Sequence, residues 1–360
     1  MGGMEKTIHG AGGKPSHISF GPIAGAGDSL DPAMTVIVTD ALIRRIYGVS
    51  FPAFPVIEVE RGEAAKSMAS LEALYGRFLD LGLGRDGMVL AIGGGTISDL
   101  AGFAASTWLR GVDFGFVPST LLAMVDASVG GKNGIDLRGV KNMVGTFSQP
   151  RFVRMDVSLL ASLNAVEFAS GMAEVVKHAV ISGGAYFQLV SSESASGGRP
   201  DDEALERIVA GSVEIKAGIV ERDERESGER RKLNLGHTVG HGIETATGIP
   251  HGHCVAAGLA TACRLAESLG RLAASERERV TSLLSACGLP SSIAEAAALA
   301  NHGTSRGDGP NFRKAIAVAI PSDKKRQGSD ILMALPHAIG SVEIEAVPLA
   351  DLQAFVMEAP

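Results

Sequence analysis

Four of the chain's nine histidines, His237, His241, His251 and His253, fall within seventeen positions. His237 and His241 are four residues apart and share one face if the segment is helical. That geometry offers either two metal ligands or one ligand and one acid–base group. A lone histidine is usually a satisfied core residue, but four in a cluster with a carboxylate in reach point to a metal. The carboxylate candidate is Glu174, in Glu174-Val-Val-Lys177, where the three-residue spacing puts acid and base on one helical face. Such a pair in isolation is an exposed ion pair of little consequence. Here residues 171–181 are largely apolar, so burial is expected, and a buried glutamate needs a cation or a metal. Three nitrogen and oxygen ligands with one open position suit a catalytic zinc, or cobalt in its place.

Two glycine-dense segments carry further chemistry. The apolar run 88–92 leads directly into Gly93-Gly94-Gly95-Thr96, with a helical pattern behind it. A strand, a glycine turn and a helix N-terminus let backbone N–H groups approach a pyrophosphate closely. The spacing is not GxGxxG, and three glycines alone can also be a plain tight turn. Asp99 inside that helix reads first as a carboxylate favoured by the helix dipole. The second segment is Asp126-Ala-Ser-Val-Gly-Gly-Lys132-Asn133-Gly134, followed by Lys141-Asn142-Met143. Its glycines disfavour a long helix, and its cations and amides can surround a phosphate. Out of context it would be a solvated basic loop.

The elements that must hold these residues follow from periodicity. Strands are expected at 35–39 (TVIVT, ending at Asp40), 56–59, 88–92 and 114–117, and a helix at 64–81 with Leu71, Leu74, Phe78 and Leu81 on one face. Another helix is expected at 99–108. Strands alternating with helices imply a mostly parallel sheet. From about residue 166 onward the pattern is helical and rich in Ala, Glu and Leu, broken by a polar loop at 191–200, with few strand signals. The expectation is an α/β domain over residues 1–165 and a mainly α-helical domain over 166–360. No repeat of 20–50 residues is visible.

Composition sets the outer bounds. Apolar residues make up 45% of the 360 and charged residues 20%, with a formal net charge of −7. This balance argues against a general nucleic-acid or membrane-surface binder, so an anion site must be a local cluster of Lys and Arg. Cys254, Cys263 and Cys287 form no CxxC pair and read as reduced thiols of a cytoplasmic protein. Residues 1–13 lack an apolar leader core, and residues 245–263, though free of Asp, Glu, Lys and Arg, contain His, Pro and Gly and cannot span a membrane.

At this point the residues carry a resemblance. Segments 93–110, 118–150, 170–177, 216–244 and 251–255, then Asp323-Lys324-Lys325 and 335–340, resemble the dehydroquinate synthase family in order along most of the chain. The resemblance implies a nucleotide-binding α/β domain before a helical domain, an active site between them, a homodimer, NAD and a divalent metal. Its metal ligands match Glu174, His237 and His251, which moves His241 from the metal to the substrate phosphate. Asp126 and Lys177 match residues near the substrate hydroxyls and the metal. Lys132, Asn142, Asn234, His241 and Lys324 match the phosphate and ring contacts. Lys216 and Arg230, with Glu226 nearby, match the pair that grips a substrate carboxylate, and Arg110 matches an arginine supplied across the dimer interface. Asp40, Glu63, Lys66, Gly94, Gly95, Asp99, Ser119, Thr120, Lys132 and Lys141 fall on NAD-contacting positions. The chain departs from the family pattern at Leu42, where Asn is usual, and at Asn133 and Asp136, where Thr and Asn are common.

The implied reaction takes a seven-carbon keto acid phosphate through oxidation of a secondary alcohol, β-elimination of phosphate, reduction, ring opening and aldol closure. A sister cyclase acting on a sugar phosphate without a carboxylate would share the fold and metal ligands but not need Lys216 and Arg230. A metal-dependent polyol dehydrogenase would not need the Lys132 to Asn142 set. A non-catalytic nucleotide-binding scaffold would need neither.

Overall fold

The run Thr35–Asp40 is buried at every position, as expected of a strand covered on both faces of a parallel sheet. In the computed structural model, which describes residues 5–9, 14–301, 310–320, 326–327 and 329–359, this run is β3 of a seven-stranded sheet. The strands are β1 (Glu5–Ile8), β2 (Ser16–Phe20), β3, β4 (Val56–Val59), β5 (Met88–Gly93), β6 (Asp113–Pro118) and β9 (Phe152–Met155), in spatial order β1-β2-β9-β6-β5-β3-β4. Only the β1–β2 pair is antiparallel. Between them lie α1 (Ala41–Tyr47), α2 (Met68–Asp80) and α3 (Gly95–Thr107). Ile37, Leu90, Ile92, Val117 and Leu159 centre one core cluster, closed by Ile23, Ile43 and Phe54.

The glycine-dense segment after Asp126 is not an open loop. Its later part forms a hairpin, β7 (Lys132–Leu137) with β8 (Val140–Phe147). Gly134 and Gly145 lie opposite each other, where a Cβ on Gly145 would stand 2.3 Å from the Asn133 carbonyl oxygen. Asn133 is buried and donates through Nδ2 to the carbonyls of Gly131 and Ser148, at 3.0 and 2.9 Å. Its side chain fits only because residue 102 of α3 is glycine: a Cβ there would lie 2.1 Å from Asn133 Oδ1. This departure from the family pattern is therefore a packing choice within the first unit.

By internal contacts that unit comprises Met1–Leu163 together with Lys216–Arg225. The second segment joins it through Lys216 to Asp126, Lys6 to Glu221 and Gln149 to Glu224. Sequence pattern alone groups 216–225 with the later helices, because α6 (Asp202–Arg222) runs without a break.

The second unit, Asn164–Ile215 with Glu226–Pro360, contains α4 (Ala165–Ser182), α5 (Gly184–Ser194), the first part of α6, α7 (His237–Thr247), α8 (His251–Ser268), α9 (Ala274–Ala286), α10 (Ile293–Asn301), α11 (Pro310–Ala319) and α12 (Leu349–Glu358). Glycines set how closely α4, α7 and α8 approach. A Cβ on Gly258 would lie 2.0 Å from the Gly236 oxygen, and one on Gly252 would lie 2.0 Å from the Ser170 oxygen. An antiparallel pair, β11 (Asp330–Ala338) with β12 (Ser341–Pro348), extended by β10 (Arg326–Gln327), adds a sheet that the sequence pattern does not announce. Among the described residues no helix is long and apolar enough to cross a membrane.

Candidate active site

Glu174 lies in the middle of α4 and is fully buried. Lys177, one turn on and equally buried, is in ion-pair contact with Oε2, yet neither carboxylate oxygen accepts a well-formed hydrogen bond. A carboxylate in that setting calls for a cation. His237 Nε2 stands 3.6 Å from Glu174 Oε1. Ligand atoms of Glu174, His237 and His251 all lie within 4.8 Å of one another. The His237 Nδ1–H donates to the Leu235 carbonyl at 3.2 Å, and the His251 Nδ1–H donates to Glu244 Oε2 at 2.9 Å. Both acceptors lack a proton to give, so in each ring Nε2 carries the lone pair, as a metal ligand requires. The donor set therefore fits a divalent cation. His241 is exposed; its ring centroid lies 5.4 Å from that of His237 and 6.1 Å from that of His251. A second group, His241, Glu244 and His251, shares His251 with the first.

In the first unit, β5 ends at Gly93 and α3 begins at Gly95, with Gly94 as N-cap and no side-chain cap on the first turn. A Cβ on Gly94 would lie 3.2 Å from Thr120 Cγ2, and one on Gly95 would lie 3.1 Å from the Ala127 Cβ. The cradle is thus shaped by the absence of side chains, as close approach of a pyrophosphate requires. Ser119 beside it is fully buried and its hydroxyl has no partner, so a polar ligand group has a place to bond. Thr120 Oγ1 accepts from the Ala123 N–H at 3.1 Å. Asp40 at the end of β3 accepts from the N–H groups of Leu42 and Ile43, at 2.8 and 3.1 Å, and so caps α1. These residues fit a dinucleotide.

A polar network joins Glu63, Lys66, Asp99, Asp136, Lys141 and Asn142. Lys66 Nζ donates to Asp99 at 2.8 Å and to Asn142 Oδ1 at 2.5 Å, and Lys141 lies 3.6 Å from Glu63. Asp136, another departure from the family pattern, accepts from the Asn142 N–H at 2.8 Å. Burial opposes the Lys66 charge, but Asp99, Glu63 and Asp136 outweigh it and hold its pKa above the ordinary value. Burial pushes the Asp99 carboxyl up to about 6 from an ordinary 3.8, against the pull of Lys66. A raised carboxyl pKa stabilises the fold fully only below the unfolded value, near pH 4, and that contribution is lost as the pH climbs through about 6. The expected result is a fall of roughly 1–3 kcal/mol across this window. Asp99→Asn should flatten it, as urea unfolding followed from pH 4 to 7 would show.

Asp126 sits in a π-type turn, Ala123–Ala127, a geometry common at functional sites. Lys216 Nζ donates to its carbonyl at 2.5 Å and to Oδ1 at 2.6 Å. The structure thus brings together two residues that the resemblance assigns to different parts of a substrate. Arg230 is buried in the turn Glu229–Asn234, and Asn234 Nδ2 donates to Glu226 Oε1. Lys132 is exposed at the start of β7. Five described residues other than glycine have positive φ, and three of them, Arg110, Asn142 and Glu226, are candidate site residues. Backbone strain of this kind persists where something over-determines it. Leu109, Arg110 and Gly111 take φ of 50°, 72° and 112° in succession and hold Arg110 exposed. Lys324 lies outside the described residues. Glu244, seven residues from His237 on the same helix, belongs to the site although histidine clustering alone does not mark it.

Comparison with known proteins adds independent findings. The sequence profile described as 3-dehydroquinate synthase N-terminal matches residues 56–170, and the one described as 3-dehydroquinate synthase C-terminal matches residues 171–305. The 3-dehydroquinate synthase of Caulobacter vibrioides is 38% identical over 335 residues, covering 89% of this chain and 88% of that one. That of Geotalea uraniireducens is 45% identical over 240 residues, 66% of this chain and 67% of that one. Among solved structures, a 2-deoxy-scyllo-inosose synthase complexed with carbaglucose-6-phosphate, NAD+ and Co2+ superposes with a TM-score of 0.83 at 23% identity, covering 99% of this chain and all of that one. A 2-epi-5-epi-valiolone synthase from Streptomyces hygroscopicus with NAD+ and Zn2+ bound gives 0.79 at 24% identity, covering 98% and 97%. At those identities the likeness is one of fold.

Proposed function

We propose a reaction and a division of labour among residues from one premise: the chain belongs to the 3-dehydroquinate synthase family. The reaction converts 3-deoxy-D-arabino-heptulosonate 7-phosphate to 3-dehydroquinate and phosphate, a step of the shikimate pathway to aromatic amino acids. The enzyme is a phosphate-eliminating lyase, cytoplasmic and homodimeric. The observation that carries the reading is the buried Glu174 carboxylate converging with His237 and His251 at the family's ligand positions.

Glu174, His237 and His251 would hold zinc or cobalt, and Gly94, Gly95, Ser119, Thr120, Asp40 and the Lys66 network would hold NAD. When bound, NAD supplies a reversible hydride acceptor, and the cation polarises the alcohol oxygen and lowers its pKa. The chain's own residues do the positioning. By the family match, Lys132, Asn142, Asn234, His241 and Lys324 would contact the phosphate and ring, where positive charge favours a departing phosphate. Asp126 and Lys177 hold substrate hydroxyls, and Lys216 and Arg230 grip the carboxylate. Arg110 serves the partner subunit's site; its strained, exposed loop supports that role. With the reacting groups held, the later ring opening and aldol closure become largely a matter of proximity.

The test is incubation of the protein with the keto acid phosphate, NAD and zinc, following phosphate release and carbocycle formation. No phosphate release, or consumption of NAD in step with substrate, would overturn the reading. The fold likeness to the inosose and valiolone synthases favours one second reading, a sister cyclase, which Lys216 and Arg230 argue against.

Asp40 has two duties under this proposal, ribose contact and helix cap, and they separate experimentally. Asp40→Ala should raise the NAD dissociation constant and also lose about 1 kcal/mol of stability with the cap. Asp40→Asn keeps a capping oxygen and should restore the melting temperature while NAD binding stays weak. Unchanged NAD affinity in both variants would reduce Asp40 to its capping role.

A further inference from the structure

We infer that Glu244 is a positioning residue for the metal centre, fixing the tautomer and tilt of the His251 ring. The inference rests on the reading above, in which Glu174, His237 and His251 hold a divalent cation. His251 is the first residue of α8, entered from Pro250 with no side-chain cap, and its side chain is 31% exposed. A side chain in the first turn has no preceding helical turn to pack against, so packing alone fixes its torsions poorly. The backbone beside it is fixed: the Gly252 N–H donates to Ser170 Oγ at 3.0 Å, and Gly252 leaves no room for a Cβ against the Ser170 carbonyl. That anchor fixes the backbone and does not by itself set the tautomer or tilt of the ring, which also neighbours the rings of His237 and His241.

Glu244 sets the tautomer and the tilt. It lies on α7, two turns beyond His237, and its Oε2 accepts from the His251 Nδ1–H at 2.9 Å. An ionised carboxylate accepts and cannot donate, so the bond forces the proton onto Nδ1 and leaves Nε2 as the ligand atom. Its negative charge also raises the basicity of the ring and so strengthens the ligand. His237 receives the weaker equivalent, a bond from Nδ1–H to the Leu235 carbonyl at 3.2 Å. The two rings are therefore held by unlike acceptors, and the more exposed ring has the charged one. Glu244 also lies with His241 and His251 in a second potential ligand group. A positioning role and direct ligation differ in how far they depend on the charge of residue 244: the first needs chiefly an acceptor oxygen at the right reach and gains a little from the charge, the second needs the charge itself.

The test is zinc affinity of the full-length protein, measured by competition with a chromophoric chelator, with the visible spectrum of the cobalt-loaded protein recorded alongside. Glu244→Ala should weaken zinc by about 10- to 100-fold and shift the cobalt bands. Glu244→Gln keeps a carbonyl oxygen at the same reach and should lose no more than about 5-fold, with the cobalt bands in place. Glu244→Asp, too short to reach, should behave like the alanine variant. Wild-type affinity in Glu244→Ala would overturn the inference. So would a Glu244→Gln loss as large as that of alanine, which would make Glu244 a ligand. A lowered melting temperature of the metal-free protein with unchanged zinc affinity would mark a merely structural residue and overturn it too. His237→Ala runs in the same assay. If wild type held zinc no better than His237→Ala, the metal centre itself would fall, and the role of Glu244 with it.

Discussion

His237→Ala should lose its zinc on dialysis and all turnover with it, whereas His241→Ala should keep the metal and bind phosphate poorly. The two side chains are one helical turn apart, and by spacing alone either could be the ligand. Their surroundings differ. His237 is 12% exposed and stands 3.6 Å from Glu174, a fully buried carboxylate. Removing its ring leaves that buried charge with one imidazole fewer to share a cation. Removing one partner of a buried charge costs roughly 3–4 kcal/mol, about 100- to 1000-fold in zinc affinity, even though Lys177 stays paired to Glu174. His241 is exposed, so its loss uncovers no buried charge. Metal content by atomic absorption and phosphate affinity by titration check the pair. Zinc lost from His241→Ala but kept by His237→Ala would move the cation to the group formed by His241, Glu244 and His251, and equal loss in both would make both rings ligands; either result overturns the assignment.

The parts of this molecule that sequence reveals are those where one physical cause dominates. Parallel strands covered on both faces are continuous apolar runs, so Thr35–Asp40 and Met88–Gly93 are legible within a residue or so. The glycine cradle is legible as a glycine run directly after an apolar strand, and in the fold a Cβ at Gly94 or Gly95 would crowd Thr120 or Ala127 at 3.2 and 3.1 Å. The helix after it was expected from Asp99, but it starts at Gly95, since a glycine N-cap gives no polar side chain to mark the boundary. The β7–β8 hairpin was hidden because its glycines serve close strand approach and not flexibility, a distinction that only the partner strand makes visible. The β11–β12 pair is hidden because it lies between α11 and α12 at the end of a mainly helical stretch.

For the site, residue types identified the metal candidates, and the resemblance chose among them. What neither showed is the company each residue keeps. Asp40 caps a helix, Lys216 is bonded to Asp126, and Lys66 ties Asp99 to Asn142. The Asp40 cap is local, but the Lys216 and Lys66 contacts join residues 33 to 90 positions apart, beyond the reach of local spacing.

The second large effect concerns substrate choice. Arg230 is 2% exposed, so its charge was removed from water on folding and must be balanced by bonded partners. Its guanidinium can clamp a carboxylate with two parallel hydrogen bonds, which an ammonium cannot. Lys216, 6% exposed and already bonded to Asp126, is restrained in the same way. A neutral hydroxymethyl end would offer the proposed grip no negative charge for the guanidinium fork to clamp. Losing a charged hydrogen bond costs roughly 2–4 kcal/mol, so Arg230→Ala should lower kcat/KM on the keto acid phosphate by about 30- to 1000-fold. Arg230→Lys keeps the charge but not the fork and should fall between. Metal content should be unchanged in both, which separates lost grip from a disturbed site. Glucose 6-phosphate and sedoheptulose 7-phosphate, which lack the carboxylate, should be poor substrates for the wild type. If either were cyclised as fast as the keto acid, or if Arg230→Ala kept full activity, the carboxylate grip would be wrong and the sister-cyclase reading would replace it.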